Sequence, residues 1–205
     1  MKTYSFFVYD LFIPVFSYDA EEGEMGVLTS QEAIVERLLH LDYELKQLGT
    51  RGDPLVLVIF GGAAVLLLAG YVRFTRDIDA LIDGCPTRKE LDLLEKYGVN
   101  DRLSIGVTPE DYTKRMRELK IGTECIKAYV AGPIDVIVHK LLNRGDSRDI
   151  EDAMVLMDQL KEHEFEQLRT LFWEYRKYTI GDERRSCDID DVIERYQHRK
   201  KGMTG

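Results

Sequence analysis

An uncharged run of eighteen residues, LVLVIFGGAAVLLLAGYV at positions 55–72, limits the folds open to this chain more than any other feature. An apolar run of about 18 residues is long enough to be considered as a membrane span. Here, however, Gly61 and Gly62 lie near its middle and directly follow LVLVIF, whose β-branched content is typical of a buried strand. We therefore predict a buried strand over 55–60, a glycine turn and a short buried helix that ends at Gly70, with no membrane partner.

The composition narrows the class of protein. Hydrophobic residues make up 44% and charged residues 32% of the 205-residue chain, which is typical of a globular protein with its own core. Three widely separated cysteines, without a CxxC pair, argue against a zinc site or a disulfide framework and for a reducing, cytoplasmic location. The net charge of −9 arises within residues 1–112, so a strongly basic nucleic-acid-binding domain is not indicated.

Capping signals, periodicity and turn residues divide the chain into a mixed part and a helical part. The predicted elements are a helix from the capping box at 29–32 to Gly49, strands at 55–60, 77–82, 103–107 and 124–130, helices at 63–69 and 87–97, a helix that opens at Thr108 and Pro109, and C-terminal helices at 133–143, 147–161, 163–177 and 188–198. This order predicts an α/β (α+β) fold in which helices flank a mixed β-sheet. We place the α/β core at residues 1–131 and the helical C-terminal part at residues 132–205.

Asp77 and Asp79 are the residues best suited to chemistry. Alternation along a strand puts both carboxylates on one face and Ile78 on the other. Such a pair offers oxygen ligands to Mg²⁺, a hard ion that usually completes its shell with water and substrate phosphates. The preceding Gly61 and Gly62 allow a phosphate to approach the backbone at the start of the next helix, where the helix dipole attracts anions. Alternatively, the glycines only make a tight strand-to-helix turn, and the aspartates form a solvated strand end.

Two motifs carry a resemblance to a known superfamily. The stretch GGAAVLLLAGYVRFTRDIDALI resembles the signature of DNA polymerase β-type nucleotidyltransferases, in which two small residues, a short helix and a D-x-D strand follow one another. Its RFTRDID segment (73–79) resembles a bacterial branch that includes abortive-infection and other toxin-type enzymes beside uncharacterised, DUF6036-like members. The downstream PIDVIVHKLL (133–142) and RDIED (148–152) are similar to that branch's lysine-bearing helix and its R-x-x-x-D-x-x-D stretch. The match covers roughly residues 55–160.

The resemblance implies a reaction and a role for each matched residue. The reaction is transfer of a nucleoside monophosphate from an NTP to an acceptor, with release of pyrophosphate. Asp77 and Asp79 would bind Mg²⁺, Lys140 would bind the triphosphate, and Asp149 would complete the site near the metal or act as a base for the acceptor. The implied nucleotide-binding residues are Gly61, Gly62, Arg73, Thr75, Arg76 and Asp152. The helical C-terminal part would close the nucleotide cleft.

Several of these residues also have purely structural interpretations. Lys140 lies near the end of a predicted helix, and Asp149 and Asp152 lie in the first turns of the next, positions that the helix dipole favours for these charges. A third carboxylate on a later strand, common in polymerase-like sites, is not evident, and Glu124 is the weak candidate for it. If none is present, Asp149 takes over its role, the acceptor arrives already activated, or catalysis has been lost.

The acceptor and the partners are implied by analogy with the toxin-type relatives alone. That analogy indicates RNA, with a tRNA end as the specific candidate and a protein hydroxyl as the next, and an antitoxin as a protein partner. Two other classes stay open. One is a non-catalytic nucleotidyltransferase-like binding module, and the other is a small-molecule nucleotidyltransferase of the aminoglycoside type. The sequence does not identify the preferred NTP or the oligomeric state.

Overall fold

A mixed β-sheet with helices around it carries the fold. The computed structural model describes residues 7–8, 11–12, 26–50, 52–70, 74–101, 108–178 and 187–203. Its elements in chain order are β1 (Phe7–Val8), β2 (Leu11–Phe12), α1 (Gln31–Leu48), β3 (Leu55–Ile59), α2 (Gly61–Ala69), β4 (Ile78–Asp83), α3 (Arg88–Lys96), β5 (Val99–Asn100), a 3₁₀ turn (Tyr112–Lys114), β6 (Arg117–Glu118), β7 (Ile126–Val130), α4 (Pro133–Asn143), α5 (Ser147–Met157), α6 (Glu164–Arg176) and α7 (Ile189–Met203).

Within these residues, five strands form one sheet in the order β5-β4-β3-β7-β6. β3 is antiparallel to β4, with Ile59 opposite Ala80, and parallel to β7, with Ile59 opposite Val130. β4 and β5 are parallel, whereas β6 and β7 are antiparallel. The predicted α/β class is therefore confirmed, with a mixed sheet flanked by helices and a helical C-terminal part.

The two faces of the sheet differ in burial. Leu55, Leu57 and Ile59 of β3 point to one face and are buried in the core, as the alternation of a strand requires. On the opposite face, Leu81 of β4 is half-buried. Asp79 lies two residues before Leu81 on the same strand and so shares the less buried face. The sheet therefore presents this aspartate away from the main core.

The uncharged run folds largely as the sequence predicts. Residues 55–59 form β3, and α2 begins at once with Gly61 and ends at Ala69, where Gly70 adopts the left-handed conformation (φ 59°) of a helix C-cap. Among the described residues, none of the helices combines the length and the apolar character that a membrane span requires. The predicted turn at Gly61 and Gly62 is wrong, because both glycines belong to α2; a strand and a short helix account for the described part of the run, residues 55–70.

Helix α1 forms because a polar start, an apolar stripe and a terminal glycine agree. Its N-cap is Ser30, whose hydroxyl accepts a hydrogen bond from the backbone N–H of Ala33 at 3.2 Å, so the predicted capping box at 29–32 is wrong by one residue. Gly49 ends the helix with φ 79°. The apolar stripe is fully buried and consists of Ile34, Leu38, Leu41 and Leu45.

The helix predicted to open at Thr108 is wrong. Only the 3₁₀ turn at Tyr112–Lys114 forms there, and the chain then enters β6, which pairs with β7. Asp111 binds Arg115, four residues on, through two hydrogen bonds of 2.8 and 2.6 Å, and Arg115 also binds the distant Asp135. Tertiary pairing has overridden local helix signals here. The predicted strand at 103–107 lies outside the described residues.

The remaining helices agree with their predicted positions to within a few residues. The Thr87 capping box of α3 is present with both reciprocal hydrogen bonds, and α4 has the predicted limits. Helices α4 and α5 pack against each other, and each also contacts α2. These contacts bring the helices of the second sequence motif to the helix that begins at the first.

Candidate functional site

The start of α2 and the start of β4 approach so closely that only glycine fits between them. Gly61 has φ 59°, and a Cβ at this position would overlap Oδ2 of Asp79. A Cβ on Gly62 would lie 3.2 Å from both Cβ and Oγ1 of Thr75. The backbone N–H of Phe60 donates to the Asp79 carbonyl at 2.8 Å, which holds the two segments in this register. The paired glycines thus seat the D-x-D segment against the amino end of α2.

Asp77 and Asp79 flank the fully buried Ile78, and both aspartates are half-buried. The Thr75 hydroxyl donates to the backbone carbonyl of Asp77 at 3.1 Å, which fixes the chain just before β4. Asp79 lies beside the amino end of α2. That both carboxylates face the same way stays a prediction.

The donor set fits a magnesium ion that is shared with a substrate. In the part of the chain that the structure describes, no group of three or more His, Cys, Asp or Glu side chains is arranged to hold a metal ion. Mg²⁺ in nucleotide enzymes is commonly held by one or two carboxylates, with water and substrate phosphates as the other ligands. Two neighbouring carboxylates, Asp77 and Asp79, meet that requirement. They do not resemble an all-protein metal cage.

The amino end of α2 is suited to anions. Its N-cap residue is Phe60, whose side chain makes no capping hydrogen bond. The first N–H groups of a helix have no partner within the helix, so such an end can bind phosphate oxygens. An anion must approach beside Asp79, because Thr75 fills the space over Gly62. A metal ion between the anion and the carboxylate would remove their mutual repulsion.

A buried arginine that the sequence analysis missed, Arg37, binds the backbone just before Asp77. Arg37 of α1 is 8% exposed, and its Nη1 donates to the backbone carbonyl of Arg76 at 2.8 Å, while Nη2 donates to the Gly26 carbonyl. The side chain of Arg76 is exposed on the other side. The only local signal for Arg37 was a charged residue next to the apolar stripe of α1.

The second motif forms a cluster of charges. Lys140 of α4 and Asp149 and Asp152 of α5 are buried in it, whereas Arg144, the C-cap of α4, is exposed. The Lys140 Nζ lies 2.9 Å from Asp149 Oδ1 and 2.8 Å from Asp152 Oδ2, and Arg144 Nε lies 2.8 Å from Asp149 Oδ2. Lys140 is 7% exposed and each aspartate is 2% exposed. The structure therefore brings Lys140, Asp149 and Asp152 together as the motif predicts, but with their charges bound to one another.

The ionisation of Asp149 depends on this cluster. Burial alone would raise its pKa, but the hydrogen bonds from Arg144 and Lys140 and their positive charges more than offset that effect, so the pKa of Asp149 is lowered. The backbone N–H of Asp149 also donates to Asp146, the N-cap of α5, at 2.9 Å. The structural interpretation from the sequence, an acid in the first turn of a helix, is correct for its location.

The two motifs meet through Arg148. Its Nη2 donates to the backbone carbonyl of Phe74 at 2.8 Å, and its guanidinium lies over the Phe74 ring, 5.5 Å from the centroid. Arg148 directly precedes Asp149, and Phe74 lies three residues before Asp77. The helix of the second motif thus contacts the segment that leads into the D-x-D strand. Arg73, also predicted to bind nucleotide, lies outside the described residues.

Glu124 does not join the D-x-D site. It precedes β7 at the end of the sheet where Leu55 pairs with Ile126, whereas Asp79 lies beside Phe60 at the other end of β3. Its carboxylate binds Lys46 on the surface at 2.6 Å. As a third catalytic carboxylate, this candidate is wrong, because the register of the strands places Glu124 at the opposite end of β3 from Asp79.

Asp135 is a further buried charged residue that the sequence analysis did not identify. Asp135 in the first turn of α4 is fully buried and accepts hydrogen bonds from Arg115 Nε at 2.9 Å and Nη2 at 2.6 Å. Arg115 also binds Asp111, and these hydrogen bonds raise the pKa of Arg115 further above its already high value. The arginine therefore links the 3₁₀ turn to the start of α4. No short sequence spacing signals this contact.

Comparison with known proteins gives a family. The model of a family described as nucleotidyltransferase of unknown function (DUF6036) matches residues 36–203. Among solved structures, the chain is similar to an antigenic nucleotidyltransferase-like protein from Paracoccidioides brasiliensis, with 18% identity, a TM-score of 0.39, and coverage of 75% of this chain and 91% of that one. A TM-score of this size carries no argument, so the assignment rests on the family model. No curated protein matches the chain.

Proposed function

Since the chain belongs to the nucleotidyltransferases of unknown function (DUF6036), we propose that it transfers a nucleoside monophosphate from an NTP to an acceptor hydroxyl. In this reaction the acceptor oxygen bonds to the α-phosphorus, the bond from that phosphorus to the β-phosphate oxygen breaks, and pyrophosphate leaves. One observation carries the proposal. The Asp79 carboxylate lies against Gly61 at the amino end of α2, where a carboxylate and backbone N–H groups can act on the same phosphate.

In this proposal Asp77 and Asp79 hold Mg²⁺. The ion would neutralise charge on the phosphates and favour in-line attack at the α-phosphorus. The N–H groups at the start of α2 bind phosphate oxygen, and the exposed Arg76 adds positive charge at the edge of the same segment. Thr75 contributes by fixing the backbone of Asp77 through its hydroxyl.

Lys140 and Asp149 enter the proposal as a coupled pair. Because the Lys140 ammonium already binds Asp149 and Asp152, it reaches a triphosphate only by exchanging a carboxylate for a phosphate. Asp149, which would keep its pairing with Arg144 after that exchange, would take the proton of the acceptor hydroxyl. Their roles as phosphate ligand and base stay predictions. The hydrogen bond from Arg148 to Phe74 supports a coupling between the cluster and the D-x-D segment.

RNA is the acceptor that we propose, on the resemblance to toxin-type nucleotidyltransferases. An antitoxin partner stays a prediction on the same ground. One observation favours a second candidate, the non-catalytic binding module. In the described parts of the chain no third acidic side chain joins Asp77 and Asp79 in a metal-binding group. A module of that kind would bind Mg²⁺ and NTP without transferring the nucleotide.

The test measures pyrophosphate release and label transfer from each α-labelled NTP, with Mg²⁺ and total RNA. The double variant Asp77→Asn/Asp79→Asn is compared with Asp83→Asn, a matched control at the exposed end of the same strand. We expect transfer by the wild type and by the control, and a loss of about 100-fold or more in the double variant, since a metal ion is worth several kcal/mol at a phosphoryl centre.

Three other results would change the conclusion. Transfer to a small hydroxyl compound, without transfer to RNA, would replace the acceptor and keep the reaction. Binding of Mg²⁺ and NTP that depends on the two aspartates, without transfer to RNA, protein or small-molecule acceptors, would establish the binding module. Absence of NTP binding by the wild type would overturn both.

A further inference from the structure

An aromatic ring stands exposed beside the D-x-D strand. Phe74 is 58% exposed, although it lies only three residues before Asp77. Three residues of extended chain span at most about 11 Å, so the Cα atoms of Phe74 and Asp77 lie within that distance of each other. A large exposed apolar side chain near a candidate catalytic group is suited to contact a substrate.

The exposure of Phe74 does not come from a loose loop. The next residue, Thr75, exchanges two backbone hydrogen bonds with Leu28, of 2.7 and 3.0 Å. The carbonyl of Arg76 accepts the hydrogen bond from the buried Arg37. The two residues that follow Phe74 are therefore each held by backbone hydrogen bonds.

The guanidinium of Arg148 covers one face of the Phe74 ring. It lies 5.5 Å from the centre of the Phe74 ring while its Nη2 donates to the Phe74 carbonyl at 2.8 Å. Arginine planes and aromatic rings are both surfaces on which nucleobases stack, and a nearby cation also attracts the phosphates. Arg148 comes from α5, whose first turn is anchored by the buried cluster through Asp149. The platform thus joins both sequence motifs.

We propose that Phe74 and Arg148 form a stacking platform for a nucleobase whose phosphate lies at Asp77 and Asp79. This inference rests on the proposed function and deepens it by assigning the site for the base. The base belongs either to the NTP or to the terminal nucleotide of the acceptor. Because every base has a π-face, the platform binds all four bases with weak preference.

The test compares the wild type with Phe74→Leu, which keeps apolar volume and removes the π-face. Phe74→Trp, which keeps an aromatic surface, is the rescue variant. Tyr43→Leu is the matched control, since Tyr43 is 59% exposed and its neighbour Asp42 binds the backbone at Cys125, at the opposite end of the sheet. Calorimetry with Mg²⁺ measures the Kd of each protein for ATP, for inorganic tripolyphosphate and for a single-stranded RNA octamer. Thermal unfolding of each variant confirms folding.

We expect Phe74→Leu to weaken binding of ATP or of the octamer by about 5- to 150-fold, the effect of losing one aromatic stack. Tripolyphosphate, which has no base, binds both proteins equally, and Phe74→Trp restores affinity. Weakened ATP binding assigns the platform to the NTP, and weakened octamer binding alone assigns it to the acceptor.

Other outcomes overturn the inference in distinguishable ways. Unchanged binding of ATP and of the octamer by Phe74→Leu would refute the platform and leave the proposed function intact. An equal loss of tripolyphosphate binding would show that the ring only supports the fold of the phosphate site. A wild type that binds none of the three probes would overturn the platform and the proposed function together.

Discussion

The buried cluster on α4 and α5 allows a prediction with a worked magnitude. Lys140→Met keeps the apolar stem and removes the ammonium that lies 2.9 Å from Asp149 and 2.8 Å from Asp152. All three side chains are buried, so water does not replace the lost charge. Breaking a buried ion pair by removing one partner typically costs about 3–5 kcal/mol. For a chain of this size, that loss corresponds to a fall in Tm of about 6–20 °C.

A second variant separates lost charge pairing from lost packing. In Lys140→Met/Asp152→Asn a carboxylate is removed together with its cation, so the double variant should be more stable than Lys140→Met alone. The expected coupling energy between the two sites is about 1–3 kcal/mol. Urea unfolding followed by circular dichroism measures the free energy of unfolding of each protein. Lys46→Met is the matched control, because Lys46 pairs with Glu124 on the surface, and its midpoint should stay unchanged.

The same prediction has a pH dependence of known sign. The pKa of Asp149 is lowered in the folded protein, so its ionised form stabilises the fold above the unfolded pKa of about 3.9, and this contribution is lost as the pH falls through the folded value. Without the Lys140 charge, that pKa rises. The difference in stability between the wild type and Lys140→Met should therefore be largest near pH 7 and shrink below about pH 4.

Two results would refute this reasoning. A Lys140→Met protein as stable as Lys46→Met at pH 7 would show that the cluster is not a desolvated charge unit. A double variant no more stable than the single variant would show that the loss is not electrostatic. If Lys140→Met instead folds normally and binds tripolyphosphate much more weakly, the prediction of Lys140 as a phosphate ligand gains direct support.

Two further predictions concern Gly61 and the ion pair between Arg115 and Asp135. Gly61→Ala and Gly70→Ala introduce the same backbone strain at φ 59°, of about 1–3 kcal/mol, but only the Cβ on Gly61 overlaps Asp79. Titration with Mg²⁺ should therefore show weaker binding in Gly61→Ala alone. Equal Mg²⁺ affinities of the two variants would contradict this. Arg115→Met removes the cation from the fully buried Asp135 and should destabilise the fold by about 3–5 kcal/mol at pH 7. Stability should partly recover at lower pH as Asp135 becomes protonated. A stability difference in urea unfolding that does not change with pH would be the contrary result.

Local patterns explain where the sequence analysis succeeded. Helix α4 has the predicted limits because Pro133 at its first position and the following apolar spacing are local signals. The start of β4 was predictable because alternation around Ile78 requires only neighbouring residues. The helix expected from Thr108 failed because Arg115, beyond the predicted first turn, binds Asp111 and the distant Asp135, and the chain then pairs with β7.

By itself, the sequence determined most of the helices, strands β3, β4 and β7 and the positions of the paired glycines and aspartates, since each depends on residues close together in the chain. Only the tertiary structure decided that Arg37 binds the Arg76 carbonyl, that Arg148 covers Phe74, and that Glu124 lies at the end of the strands opposite Asp79. Contacts between residues tens of positions apart depend on strand register and helix packing. These follow from burial of the whole core, which no single stretch of sequence encodes.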